Sequence, residues 1–177
     1  VLLNLDVKKI QVKGFNVREI ILNENEQKIV EYIAKTRHSS ARANGFDDKQ
    51  ISDHSKCKID LDGFGGEFAF CKEFNIMPSF VTGKTDKADC IMSDGATVDV
   101  KTTDRKNGCL LVPMTKKVED VDIYALVIKH SDSLFQIIGF RGSEKVICDY
   151  GYQYHQNHRG LSGEGYALPQ SDLHKWT

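Results

Sequence analysis

Residues 87–106, KADCIMSDGATVDVKTTDRK, hold two short apolar runs separated by Ser93-Asp94-Gly95. That spacing suits a hairpin with a three-residue loop, a type I turn ending in a left-handed glycine. Counting back from the loop predicts the pairs 92 with 96, 91 with 97, 90 with 98 and 89 with 99. Side chains alternate along a strand, so Asp99 and Lys101 share one face, about 7 Å apart from two rises of roughly 3.3 Å, while Val98, Val100 and Thr102 share the other. The register places Asp89 opposite Asp99, with about 5 Å between their Cβ atoms.

Two carboxylates that close repel unless a cation lies between them. Mg²⁺ fits such a site because it takes a couple of carboxylates and completes its shell with water and phosphate oxygens. Lys101, next along the face, is placed to orient or deprotonate an attacking water and to stabilise charge on phosphorus. The acid-x-lysine spacing alone carries nothing, since it recurs at Asp6, Glu26, Asp47 and Asp104. What distinguishes Asp99 is a strand, a second acid set opposite by the turn, and a preceding helix that carries Glu67 as a third carboxylate.

That helix is read from Leu61, Phe64, Phe68 and Cys71, which form one apolar stripe starting near Asp60 or Asp62 and ending before Pro78. Gly65 and Gly66 weaken a helix, so they point to close packing or close ligand approach. Upstream, Asn23 with Glu26 forms a capping box for a helix over 24–38. FNVREIIL, residues 15–22, fits either a strand or the approach to a helix, and 39–59, with Asn44-Gly45, reads as a loop or short helical turns. Strands are expected at 88–92, 96–103, 110–113, 123–128 and 134–140, with a short helical segment at 114–121. The tail from Asp149 reads as a long loop before a final short strand and helix.

A chain of 177 residues suits one domain spanning 1–177. Its net charge of −1 excludes a uniformly basic coat, so any polyanion site is a local patch. Five scattered cysteines without a CxxC pair point to reduced thiols and a cytoplasmic setting. The start, VLLNLDVKKI, is interrupted by charge too early for a signal peptide or membrane span.

GGEFAFCKEFNIMP followed by ADCIMSDGATVDVKTT resembles the PD-(D/E)xK nuclease superfamily, particularly small nucleases found in bacteriophage genomes. The order Glu67, Asp89, Asp99-Val100-Lys101 matches its signature, and the similarity covers about residues 60–140. The resemblance implies an α/β fold of the restriction-endonuclease-like type, a central mixed β-sheet flanked by helices. It implies Mg²⁺-dependent hydrolysis of DNA, with Mn²⁺ as substitute, leaving a 5′-phosphate. By position, Asp89, Asp99 and the Val100 carbonyl become metal ligands, Lys101 the catalytic lysine and Glu67 the helical acid. The pattern departs from the family at Ala88, where proline is usual, and in lacking a glutamine shortly after Lys101.

Lys84, Lys87, Arg105, Lys106, Lys116 and Lys117 flank the site in sequence and together form a candidate DNA-tracking groove, joined by Arg37 and Arg42 from the first helix. His155, His158 and Arg159 lack the further ligands of a zinc site and read as a substrate-contacting or merely exposed loop. Tyr150, Tyr152 and Tyr154 alternate as on a strand face and read as packing. The rival reading is a catalytically inert DNA-binding or assembly protein that keeps the fold. A homodimer or a partner protein that delivers DNA is compatible with either.

Overall fold

The computed structural model describes residues 18–43, 56–80, 87–154 and 163–176. The Asn44-Gly45 turn, Lys84, and the segment with His155, His158 and Arg159 lie outside the described residues, as does the side chain of Arg42. In chain order the elements are β1 (Arg18–Ile21), α1 (Glu24–Ala43), α2 (Lys56–Glu73), β2 (Cys90–Ile91), β3 (Thr97–Thr103), β4 (Leu110–Pro113), β5 (Ile123–Lys129), β6 (Leu134–Gly142), α3 (Ser143–Ile147), β7 (Gln153–Tyr154) and β8 (Gly165–Leu168). Single 3₁₀ turns occupy Val118–Asp120, Tyr150–Tyr152 and Gln170–Asp172.

A mixed five-stranded sheet runs β1-β6-β5-β3-β2, with β3 and β5 parallel and every other neighbour antiparallel. β4, β8 and β7 form a second, antiparallel sheet. The run FNVREIIL therefore resolves in part as the edge strand β1, and 110–113 belongs to the second sheet, not the central one. β5 shows why the layers form. Its odd residues Ile123, Ala125 and Val127 join one apolar cluster with Val30, Ala34, Phe64 and Phe70 of the two long helices. Its even residues Tyr124, Leu126 and Ile128 join a second cluster with Leu110, Val112 and Leu168 of the small sheet. A strand buried on both faces reads as a continuous apolar run, and IYALVI is one. The fold is thus α/β, with the two long helices on one face and the small sheet and α3 on the other.

The capping box forms as the sequence predicts. Asn23 Oδ1 accepts from the Asn25 and Glu26 N–H groups at 3.0 Å each, and Glu26 Oε2 accepts from the Asn23 N–H at 2.7 Å. α1 runs five residues past 38, and α2 begins at Lys56, so residues 39–59, read as a loop or short helical turns, belong at both ends to long helices. α2 stops where Asn75 takes the left-handed conformation, at φ 52°, and the Ile76 N–H reaches the Cys71 carbonyl at 2.9 Å, a Schellman cap.

The hairpin register holds for Cys90↔Val98 and Ile91↔Thr97, with Gly95 at φ 91°. The fourth pair, Asp89 with Asp99, is a correction. The Asp89 N–H donates to the Val98 carbonyl at 2.8 Å, so Asp89 and Cys90 both lie against Val98 in a β-bulge. The strand expected over 88–92 narrows to two residues for the same reason. Among the described residues, β3 has no strand partner on that edge beyond Val98.

Candidate active site

The unpartnered edge of β3 opens into a cleft of about 910 Å³, lined by Glu67, Asp89, Val100, Lys101 and Thr102 and walled opposite by Tyr152, Tyr154 and Pro169. Asp99 is only 2% exposed and lies behind Lys101. Glu67 reaches this edge because α2 lies directly on β3. A Cβ on Gly66 would come within 2.0 Å of Thr102 Oγ1, and one on Gly65 within 2.8 Å of the Phe135 ring. The glycine pair thus serves close packing, and the next residue, Glu67, is delivered to the strand.

Each carboxyl group is held by a donor. Arg37 donates to Glu67 Oε2 at 2.8 Å and to the Ser79 carbonyl at 2.5 Å, while stacking 4.5 Å from the Phe64 ring centroid. The Val100 N–H donates to Asp89 Oδ2 at 2.7 Å, replacing the strand partner that the bulge removes. Asp99 meets two ammonium groups, Lys101 Nζ at 2.5 Å from Oδ1 and Lys116 Nζ at 2.8 Å from Oδ2. Oδ1 is buried, and the Lys101 ammonium is the charge beside it.

The electrostatics separate the three acids. Burial, then the charge of Asp89, pushes Glu67 up to about 8 despite Arg37. Burial, then the charge of Asp99, pushes Asp89 up to about 6. Burial also acts to raise Asp99, but Lys101 and then Lys116 outweigh it and hold that carboxyl below the ordinary range. Burial acts to lower Lys101, yet Asp99, Asp89 and Glu67 outweigh it, so its ammonium is held more firmly than usual.

The donors available here are all oxygen: three carboxyl groups and the Val100 carbonyl. That all-oxygen set suits a hard cation such as Mg²⁺ or Mn²⁺. Among the described residues no three of His, Cys, Asp and Glu are grouped so as to hold a metal ion as they stand. Arg37, Lys101, Lys116 and the Val100 N–H occupy the carboxylate oxygens instead.

The flanking cations divide. Lys116 pairs with Asp99 and is part of the centre. Arg37 is bound to Glu67. Lys87 pairs with Asp120 at 2.6 Å, on the surface. Arg105 lines the cleft, and Lys106 and Lys117 are exposed. Tyr152 and Tyr154 do not share a strand face, since Tyr152 sits in a 3₁₀ turn and donates to Asp172 Oδ2 at 2.9 Å. Sequence reasoning missed Lys116 and Arg37 as direct partners of the acids. No local pattern marks either one, because each contact depends on how separate elements cross.

The family model of a family of unknown function, DUF5843, matches residues 16–133. The chain belongs to DUF5843. The matched stretch holds Glu67, Asp89, Asp99, Lys101 and Lys116. No curated protein matches the chain. No helix among the described residues is long and apolar enough to cross a membrane, and the four described cysteines, Cys71, Cys90, Cys109 and Cys148, are free.

Proposed function

We propose that this DUF5843 chain is a Mg²⁺-dependent deoxyribonuclease with a restriction-endonuclease-like core, acting on DNA in the cytoplasm. The observation that carries the reading is the convergence of Glu67, Asp89 and Lys101 on one cleft, with Asp99 directly behind Lys101. Residues up to 34 positions apart in a 177-residue chain meet there by way of a helix, a bulge and a strand, which supports the resemblance to PD-(D/E)xK nucleases. The mixed sheet, with its β2–β3 hairpin and α2 laid on β3, supports the same core.

In this reading Asp89, Asp99 and the Val100 carbonyl, with Glu67, hold the cation. Bound Mg²⁺ supplies a Lewis acid for a phosphate oxygen and lowers the pKa of a water. The Lys101 ammonium, favoured by Asp99, Asp89 and Glu67 over the opposing effect of burial, is placed to hold charge that builds on the phosphate. The Asp89–Val100 hydrogen bond sets the Asp89 carboxylate against β3 and leaves its other oxygen for the cleft.

The alternative, an inert DNA-binding or assembly protein, is favoured by one observation. Two of the three acids already meet cations without any metal, Glu67 through Arg37 and Asp99 through Lys101 and Lys116. The experiment that separates the two is incubation of the pure protein with single-stranded, duplex and branched DNA, in Mg²⁺ or Mn²⁺ and in chelator. Metal-dependent cleavage that Asp99→Asn slows at least about a hundredfold is expected. Undiminished cleavage in chelator, or none on any substrate while DNA binds, overturns the nuclease reading.

A further inference from the structure

Lys116 lies on the connection between β4 and β5, yet its side chain is only 25% exposed and its Nζ stands 2.8 Å from Asp99 Oδ2. Lysine ordinarily keeps its head in water. Here the loop imposes the position. The Lys116 N–H donates to the Pro113 carbonyl at 3.1 Å. Asp120 closes the following turn on the Lys117 N–H at 2.9 Å and pairs with Lys87 at 2.6 Å. Asp122 then grips the N–H and hydroxyl of Thr97 at 2.8 and 2.7 Å, at the start of the strand that carries Asp99. The loop is tied to β3, and Lys116 is aimed into the centre by that tie.

We propose that Lys116 is a positioning residue that competes with the divalent cation for Asp99 Oδ2, neutralising the buried carboxylate until a metal replaces it. This rests on the metal-dependent reading above and adds a second lysine whose task differs from that of Lys101. A buried carboxylate needs a compensating charge. Lys101 is held by Asp99, Asp89 and Glu67 together, whereas Lys116 is held by its ion pair with Asp99. When the cation takes that oxygen, the Lys116 ammonium is displaced from it.

The test reads metal affinity and not cleavage. Mn²⁺ is titrated calorimetrically into the wild type, Lys116→Met, Lys116→Arg, Asp99→Asn and Lys145→Met, the last an exposed lysine on α3 that controls for net charge. Removing a cation a few ångströms from the binding position is expected to tighten Mn²⁺ binding by about tenfold or more in Lys116→Met. Lys116→Arg and Lys145→Met are expected to stay near the wild type. A merely structural lysine moves the affinity the other way. Equal or weaker binding by Lys116→Met, with its melting temperature unchanged, overturns the proposal. If Lys116→Met does not fold, Lys116→Gln, which keeps most of the stem, carries the same expectation. Loss of binding in Asp99→Asn together with an unchanged Lys116→Met removes only the role of Lys116. Failure of wild type and Lys116→Met alike to bind Mn²⁺ removes the metal-dependent reading, and this inference with it.

Discussion

The carboxylate of Asp89 accepts a hydrogen bond from the backbone N–H of Val100 at 2.7 Å. A side chain thus does the work of a missing strand, since β2 ends at Cys90 and the bulge carries Asp89 away from the Asp99 pairing. The same acid is both the cap of the open β3 edge and a candidate metal ligand, and the two tasks come apart in substitution.

Asp89→Asn keeps an acceptor for the Val100 N–H and removes a charge that burial and Asp99 oppose. It is expected to be at least as stable as the wild type. Asp89→Ala leaves the N–H unpaired and is expected to be less stable than Asp89→Asn by about 1–3 kcal/mol in urea unfolding. Both are expected to lose cleavage. Equal stability of the two variants shows that the hydrogen bond contributes nothing to the fold.

Asp99→Asn releases Lys101 and Lys116 from the carboxylate that now neutralises them. In chelator the variant is expected to bind DNA at least as tightly as the wild type, because two ammonium groups become free for phosphate. In Mg²⁺ it is expected to cut at least about a hundredfold more slowly. Weaker DNA binding in chelator, with the circular dichroism spectrum unchanged, shows that the cluster does not face the phosphate.

Gly63 and Gly66 both sit in α2, and the two are expected to respond to alanine in opposite directions. Nothing lies within 4 Å of a Cβ on Gly63, so Gly63→Ala is expected to stabilise by about 0.5–1 kcal/mol through helix propensity. A Cβ on Gly66 meets Thr102 Oγ1 at 2.0 Å, so Gly66→Ala is expected to cost about 1–3 kcal/mol, with part recovered by adding Thr102→Ala. Additive effects of the two Gly66 and Thr102 substitutions in denaturant titrations argue against the direct contact.

Glu26 closes the α1 capping box and meets Lys72 at 2.7 Å. Burial acts to raise its pKa, but Lys72 and the Asn23 N–H outweigh it and hold it below the ordinary 4.5. A depressed carboxyl stabilises the fold above its unfolded pKa, and that contribution is lost as pH falls through the folded value. Glu26→Gln keeps the cap and removes the partly exposed ion pair, so it is expected to be less stable by about 0.5 kcal/mol at neutral pH. The gap is expected to narrow as pH falls below the ordinary 4.5 and to close below the depressed folded value. A gap undiminished in acid shows that glutamine disturbs the cap itself.

Much of the fold was legible because it is locally encoded. The Ser93-Asp94-Gly95 turn set the register of Cys90 and Ile91, since a glycine with positive φ and alternating side chains leave one pairing that buries Val98. Asn23 and Glu26 announced α1 through their own backbone contacts. The helical stripe placed Glu67, and the strand period placed Asp99 beside Lys101. The exact pairing of Asp89 was not legible, because a bulge depends on what flanks β2, here the Ser79 N–H that donates to the Asp89 carbonyl at 2.7 Å.

The sequence by itself therefore determined the type and order of the main elements and the candidate acids and lysine. The tertiary structure alone decided what faces them. β3 and β5 are parallel, so the chain must cross over between Thr103 and Ile123, and that crossover lays β4 in a second sheet and carries Lys116 past Asp99. Arg37 finds Glu67 across 30 positions only because α1 packs on α2. Both lysines and arginines look alike along a chain; a buried carboxylate selects among them by which long side chain the packing brings within reach, and no local pattern carries that distance.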